Sequence, residues 1–138
     1  SGGEMGVIYV ARSVKFGKWA SDVGLSKNVF KVGYTEEDPK AIVDKGWAGE
    51  SDWSLVRKQD ADGVGEEEII ARLARKEKMI DPTYYPRLRG AAGIFKVSPE
   101  HVENHILVSR VMSGASERAE LKLKPTDFAD YLIQNALR

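Results

Sequence analysis

Two short runs of β-branched and aromatic residues open the chain, at 6–12 and 29–35. Such residues favour strands, in which successive side chains point to opposite faces. The alternation predicts that Tyr9 and Lys31 share one face, while the opposite face is an apolar set directed at a core: Ile8, Val10, Phe30, Val32 and Tyr34. Residues 14–28 are too many for a tight hairpin turn, so they are predicted to form a surface excursion.

Helix start signals follow the second run. Asp38-Pro39 joins a capping side chain to a proline suited to the first helical position, and Gly46 is a stop signal. Beyond Gly65, three glutamates suit the positive end of a helix dipole and precede an apolar stripe of Ile69, Ile70, Leu73 and Ala74. Ser98-Pro99 repeats the first start signal. The sequence therefore predicts three helices within residues 38–112.

The remaining segments set the domain boundaries. Residues 53–59 and 93–97 are predicted as short strands, which places one α+β domain at 6–112. Residues 1–5 are predicted to be a leader or a cloning scar, and 113–125 a linker poor in large apolar residues. In 126–138 apolar residues recur at helical spacing, so a C-terminal helix is expected to dock on the domain, on a protein partner or on a second copy.

The composition and charge of the chain exclude several classes of protein. The chain has 138 residues, 42% apolar or aromatic and 30% charged, which is typical of a single globular domain. It has no apolar run of about eighteen residues, so no membrane span is expected. Without cysteine it can form neither a disulfide nor a thiolate zinc site, which fits a cytoplasmic location. Because 21 basic residues balance 21 acidic ones, nucleic-acid binding would need a local patch.

The densest basic stretch follows the three glutamates and is interleaved with Tyr84 and Tyr85. Its members are candidates for phosphate contact: Arg72, Arg75, Lys76, Lys78, Arg87 and Arg89. The alternative is a solvated helix face. His101 and His105 lie one helical turn apart, a spacing that can bind metal, but an exposed polar face is favoured because the zinc-protease glutamate is missing.

The motif order suggests a family. Gly6-Val7-Ile8-Tyr9-Val10, then Phe30-Lys31-Val32-Gly33-Tyr34-Thr35, then Glu37-Asp38-Pro39 resembles the opening of the GIY-YIG nuclease superfamily, particularly its phage-type branch, where the second motif commonly reads Lys-Ile-Gly. The resemblance covers residues 5–106 in order of elements. It implies a small three-stranded antiparallel sheet flanked by helices, and a bacterial or phage-encoded intracellular enzyme that cuts DNA with one divalent metal ion.

The resemblance also implies roles for individual residues. Tyr9 matches the tyrosine of the first motif, which would act as an acid or base. Lys31 stands where the second motif has its tyrosine. Glu67, with Glu66 as the neighbouring option, matches the glutamate that would hold Mg²⁺ or Mn²⁺. Tyr9, Lys31 and the cation Lys40 are therefore the candidate catalytic residues.

Two departures from the family pattern bear on activity. The family's arginine on the first helix has no counterpart, so Lys40 and Lys45 are the nearby cations, and a lysine lacks the planar fork of a guanidinium. The late motif, which usually begins with a glutamate, here begins with Gly93. The first hypothesis is a metal-dependent DNA endonuclease with full, weakened or lost activity. The alternative is a non-catalytic nucleic-acid-binding or protein-interaction module on the same fold.

Overall fold

A computed structural model describes residues 6–61, 63–114 and 122–138. The strands are β1 (Gly6–Arg12), β2 (Val29–Thr35), β3 (Ser54–Ala61), β4 (Lys78–Met79) and β5 (Ile94–Lys96). The helices are α1 (Val14–Asp22), α2 (Pro39–Lys45), α3 (Glu66–Ala74), α4 (Pro99–Met112) and α5 (Pro125–Ala136), with a short 3₁₀ turn at Pro86–Leu88. The predicted leader, 1–5, and most of the predicted linker lie outside the described residues.

The sheet is antiparallel, and its strand order is β3-β1-β2-β5-β4. This confirms the α+β class, but the prediction of three strands is wrong because β5 and β4 extend the sheet beyond β2. The short strand predicted at 93–97 corresponds to β5, which pairs with Val29, Phe30 and Lys31. The strand β4 has two residues, too few to show a period-two pattern.

Each face of the sheet carries its own core. One face, which we call the first core, buries Ile8, Val10, Phe30 and Val32 against α3, α4 and α5. The other, the second core, buries Tyr9, Ala11, Val29 and Ile94 against α1, α2 and residues 80–91. The alternation predicted along β1 and β2 is therefore confirmed, and both faces are covered.

The predicted surface excursion at 14–28 is wrong for its first half, which forms α1. The Ser13 side chain accepts a hydrogen bond of 3.0 Å from the Phe16 backbone N–H and caps the helix. Phe16 and Ala20, four residues apart, are buried in the second core. Lysines and a glycine interrupt the apolar pattern that would predict a helix in this segment. Its helical conformation therefore depends on packing against the sheet.

The C-terminal helix docks on the domain. It begins at Pro125, one residue before the predicted start, and Phe128, Leu132 and Ile133 are buried in the first core. The ring of Phe128 stacks on Phe30, with centroids 5.1 Å apart. Within the described residues, no helix combines the length and the apolar character that crossing a membrane requires.

Candidate functional site

The face of the sheet in the second core carries a cluster that we call the Tyr9 cleft: Tyr9, Lys31, Trp47 and Glu66. Tyr9 of β1 pairs with Gly33 of β2, and Lys31 lies two residues along the same strand. The period of two residues therefore brings Tyr9 and Lys31 to the same face. Glu66, the first residue of α3, reaches the cleft from the helix end.

Tyr9 is enclosed, with 3% of its surface exposed, and its ring stacks on Trp47 at 6.3 Å between centroids. A Cβ at Gly33 would lie 2.3 Å from the Tyr9 hydroxyl, so glycine is needed there for the ring to cover β2. Burial, and then the charge of Glu66, raises the pKa of Tyr9 to about 12. The phenol is therefore protonated at neutral pH.

The Lys31 side chain is also enclosed, with 4% of its surface exposed. Its ammonium donates a hydrogen bond of 3.0 Å to the Val32 carbonyl and lies 3.8 Å from Oε1 of Glu66. It is 5.2 Å from the centroid of the Trp47 ring and 5.8 Å from that of Tyr9, within the range of cation–π attraction. Burial lowers the pKa of Lys31, and the charge of Glu66 partly offsets this effect.

Gly93 stands where the resemblance expects a glutamate, and it limits the cleft on the β5 side. Its backbone has φ +91°, a conformation that other residues rarely adopt. A Cβ there would lie 2.7 Å from the Val32 carbonyl oxygen and 3.2 Å from Nζ of Lys31. The space that a side chain at position 93 would enter is thus taken by Lys31 and by the backbone of β2.

The candidate metal ligands are not grouped as a set of three. Glu66 is half exposed and faces Lys31, while Glu67 lies in the exposed first turn of α3. Across the described residues, no three side chains of histidine, aspartate or glutamate come together in a way that could hold a metal ion. His101 instead has Nδ1 2.6 Å from Oε2 of Glu77, and His105 packs edge-on against Tyr131.

The third candidate catalytic residue, Lys40, lies on the exposed side of α2. Its backbone N–H donates to Oδ1 of Asp38, which caps the helix at 3.1 Å. None of the ion pairs or cation–π contacts of the described chain joins Lys40 to the Tyr9 cleft. Of the three, the structure brings only Tyr9 and Lys31 together.

Two of the arginines in the predicted basic patch bind partners within the chain. Arg72 donates to the carbonyl of Ala136 at 2.9 Å and also pairs with Glu68. Arg87 donates to the carbonyl of Ala48 and to Glu50, both at 2.7 Å, and its guanidinium lies 5.1 Å from the Trp19 ring centroid.

The other four basic candidates are exposed, but they are divided between different parts of the fold: Arg75, Lys76, Lys78 and Arg89. The helix α3, which ends just before Arg75, packs in the first core through Ile69 and Leu73. The segment before Arg89 packs in the second core through Leu88. The structure therefore places the basic stretch on both sides of the sheet and does not gather it into one patch.

Sequence reasoning missed one buried polar cluster. Glu77 is 5% exposed and accepts hydrogen bonds from the Ser98 backbone N–H at 2.8 Å and from the Tyr131 hydroxyl at 2.6 Å. Together with His101, these contacts join the turn after α3 to α4 and α5. Glu77 lies between lysines in the sequence, so its neighbours give no sign that it is buried.

The Tyr9 cleft combines an ion pair, between the buried Lys31 and the half-exposed Glu66, with the neutral phenol of Tyr9. The ammonium of Lys31 supplies a positive charge to Glu66 from inside the protein. Comparison of the chain with protein-family models, with curated proteins and with solved structures found no match.

Proposed function

We propose that this chain is a non-catalytic nucleic-acid-binding module with a GIY-YIG-like fold. The position of Lys31 carries the proposal, because its ammonium lies in the cleft 3.8 Å from Oε1 of Glu66, one of the two carboxylates that the resemblance offers to the metal. A second positive charge beside a carboxylate repels a divalent cation, and burial weakens the screening between them. The positive charge beside Glu66 in the Tyr9 cleft is thus supplied by the Lys31 side chain.

The chemistry of phosphodiester hydrolysis supports the loss of activity. A one-metal reaction needs a metal ligand set, a group that activates water and cations on the developing phosphorane. The phenol of Tyr9 stays protonated at neutral pH because its pKa is raised to about 12, so little phenolate is present to accept a proton from water, and Gly93 leaves no room for a further carboxylate. The sequence also lacks the family's arginine on α2.

Exposed basic residues support nucleic-acid binding as the retained function. The chain has no net charge, so binding would depend on local cations and weaken steeply with salt. We include a cytoplasmic location in the proposal, since nucleic acid is the partner. Self-association through α5 is not part of the proposal, because Phe128, Leu132 and Ile133 are buried in the first core.

The test measures binding and cleavage on the same nucleic acids. Fluorescence anisotropy with a labelled 20-nucleotide single strand and a 20-base-pair duplex is recorded at low salt without metal. The same samples are then incubated with millimolar Mg²⁺ or Mn²⁺ and run on a denaturing gel. We expect salt-sensitive binding and intact strands. If the protein binds neither nucleic acid at low salt, the proposal is wrong.

The second candidate function is the metal-dependent DNA endonuclease. It is favoured by the convergence of Tyr9, Lys31 and Glu66 on one cleft. In this case Glu66 or Glu67 would ligate one Mg²⁺ or Mn²⁺ ion, with Lys40 as a further cation. Metal would then raise the melting temperature of the wild type but not of the Glu66→Gln, Glu67→Gln variant, and Tyr9→Phe would abolish cleavage without weakening binding.

A further inference from the structure

A second cleft, of about 490 Å³, opens where β1 ends and β2 begins. Its rim carries three cations, Arg12, Lys18 and Lys27, and we call it the basic cleft. The remaining lining includes an apolar group made of Phe30, Leu123, Pro125 and Phe128. None of the four residues of the Tyr9 cleft lines the basic cleft, so the two sites are separate.

The charge of the basic cleft is unbalanced. Asp22 is the one carboxylate among its lining residues, against three cations. The ion pairs formed within the described chain include none of the three. The nearby Asp52 accepts hydrogen bonds from the Ser13 hydroxyl and from the backbone N–H of Lys15. The lining therefore has two more cations than carboxylates, and these cations, unlike Arg72 and Arg87, form no ion pair within the described chain.

We propose that the basic cleft binds the phosphate backbone of a single-stranded nucleic acid, an inference that rests on the proposed function. Phosphate oxygens are the contacts that lysine and arginine make most often with nucleic acids. A cleft of 490 Å³ has the size of a small-ligand site, so it accommodates about one or two nucleotides and excludes a double helix. The apolar lining suits the sugar and base of an unpaired nucleotide.

The number of cations sets the expected salt dependence. Each phosphate neutralised on a single strand steepens the fall of log affinity with log salt by about 0.7. If Arg12, Lys18 and Lys27 each contact one phosphate, either of the bound nucleotides or of the next linkage along the strand, the three contacts account for a slope of about 2. The carboxylate of Asp22 repels the same phosphates, so replacing Asp22 with a neutral residue should strengthen binding.

The experiment compares two variants that lose the same charge. The cleft variant is Arg12→Gln, Lys18→Gln, Lys27→Gln. The control variant removes three cations that lie outside both clefts and outside the basic stretch of residues 72–89: Lys58→Gln, Arg110→Gln, Arg138→Gln. Binding of a labelled 15-nucleotide single strand is measured by anisotropy over a range of salt concentrations, after thermal melting has established that each variant folds. A third variant, Asp22→Asn, tests the same cleft through a gain in affinity.

We expect the cleft variant to bind at least tenfold more weakly and to lose about 2 units of salt slope. The control variant should stay within about threefold of the wild type, and Asp22→Asn should bind more tightly. Two results overturn the inference while leaving the proposed function in place: equal losses in both triple variants, or wild-type affinity in the cleft variant and in Asp22→Asn. Failure of the wild type to bind at low salt refutes the proposed function itself.

Discussion

The hydroxyl of Tyr131 donates a hydrogen bond of 2.6 Å to Oε2 of Glu77 and so ties α5 to the turn that follows α3. Both residues are buried, and burial, followed by the bond and the charge of Glu77, raises the pKa of Tyr131. We expect Tyr131→Phe to lower the free energy of unfolding by about 1.5–3 kcal/mol, because a hydrogen bond to a charged acceptor is lost. Urea-induced unfolding measures this change.

Tyr34→Phe is the matched control for that prediction. The Tyr34 hydroxyl lies 3.4 Å from the carbonyl of Ala61, a long contact with a neutral acceptor. Its removal should cost less than about 1 kcal/mol. Equal costs for the two substitutions would show that the Glu77 contact adds nothing beyond an ordinary hydroxyl.

The charge pair in the Tyr9 cleft predicts opposite effects for its two members. Lys31→Met removes a buried ammonium, keeps the approximate shape of the side chain and leaves only the half-exposed Glu66 carboxylate, which water can solvate, so the free energy of unfolding should stay the same or rise. Glu66→Gln leaves the ammonium without its neighbouring carboxylate and should lower the melting temperature. Glu67→Gln, in the same exposed helical turn, is the control and should have little effect. If Glu66→Gln and Glu67→Gln behave alike, the pair does not contribute to stability.

Tyr9 predicts a loss of stability at alkaline pH. The unfolded chain releases the phenolic proton near pH 10, whereas the folded protein holds it up to a pKa of about 12. Deprotonation therefore stabilises the unfolded state first, and the free energy of unfolding should fall between pH 10 and 12. The fall should be smaller in Tyr9→Phe, because Tyr131 titrates in both chains. Urea unfolding at several pH values compares the two, and parallel curves would contradict the prediction.

Arg72 is predicted to act on stability and not on nucleic-acid binding. Its bond to the carbonyl of Ala136 holds the end of α5 against α3, so Arg72→Gln should lower the free energy of unfolding by about 1 kcal/mol. Arg75→Gln, three residues along and exposed, should leave it unchanged. Thermal melting and anisotropy are measured on both variants. A loss of affinity in Arg72→Gln without a loss of stability would place Arg72 at a phosphate.

Local chemistry made several features predictable from the sequence. Side-chain alternation placed Tyr9 and Lys31 on one face, because the period of a strand depends only on its backbone. The start of α2 at Pro39 and of α3 at Glu66 followed from capping and dipole effects, which act within one turn. These features need no contact from distant parts of the chain.

Other features depended on contacts between residues far apart in the sequence. The strand β4 exists through its pairing with β5, and α1 is held by the packing of Phe16 and Ala20 on the sheet. The partners of Arg87 lie 37 and 39 positions away, and Lys31 meets Glu66 only after α3 has packed on β2. A single sequence carries no pairing information at such separations. Tertiary structure alone therefore decided which cations were paired and which faced the basic cleft, because burial and neighbouring charge are set by packing and not by residue type.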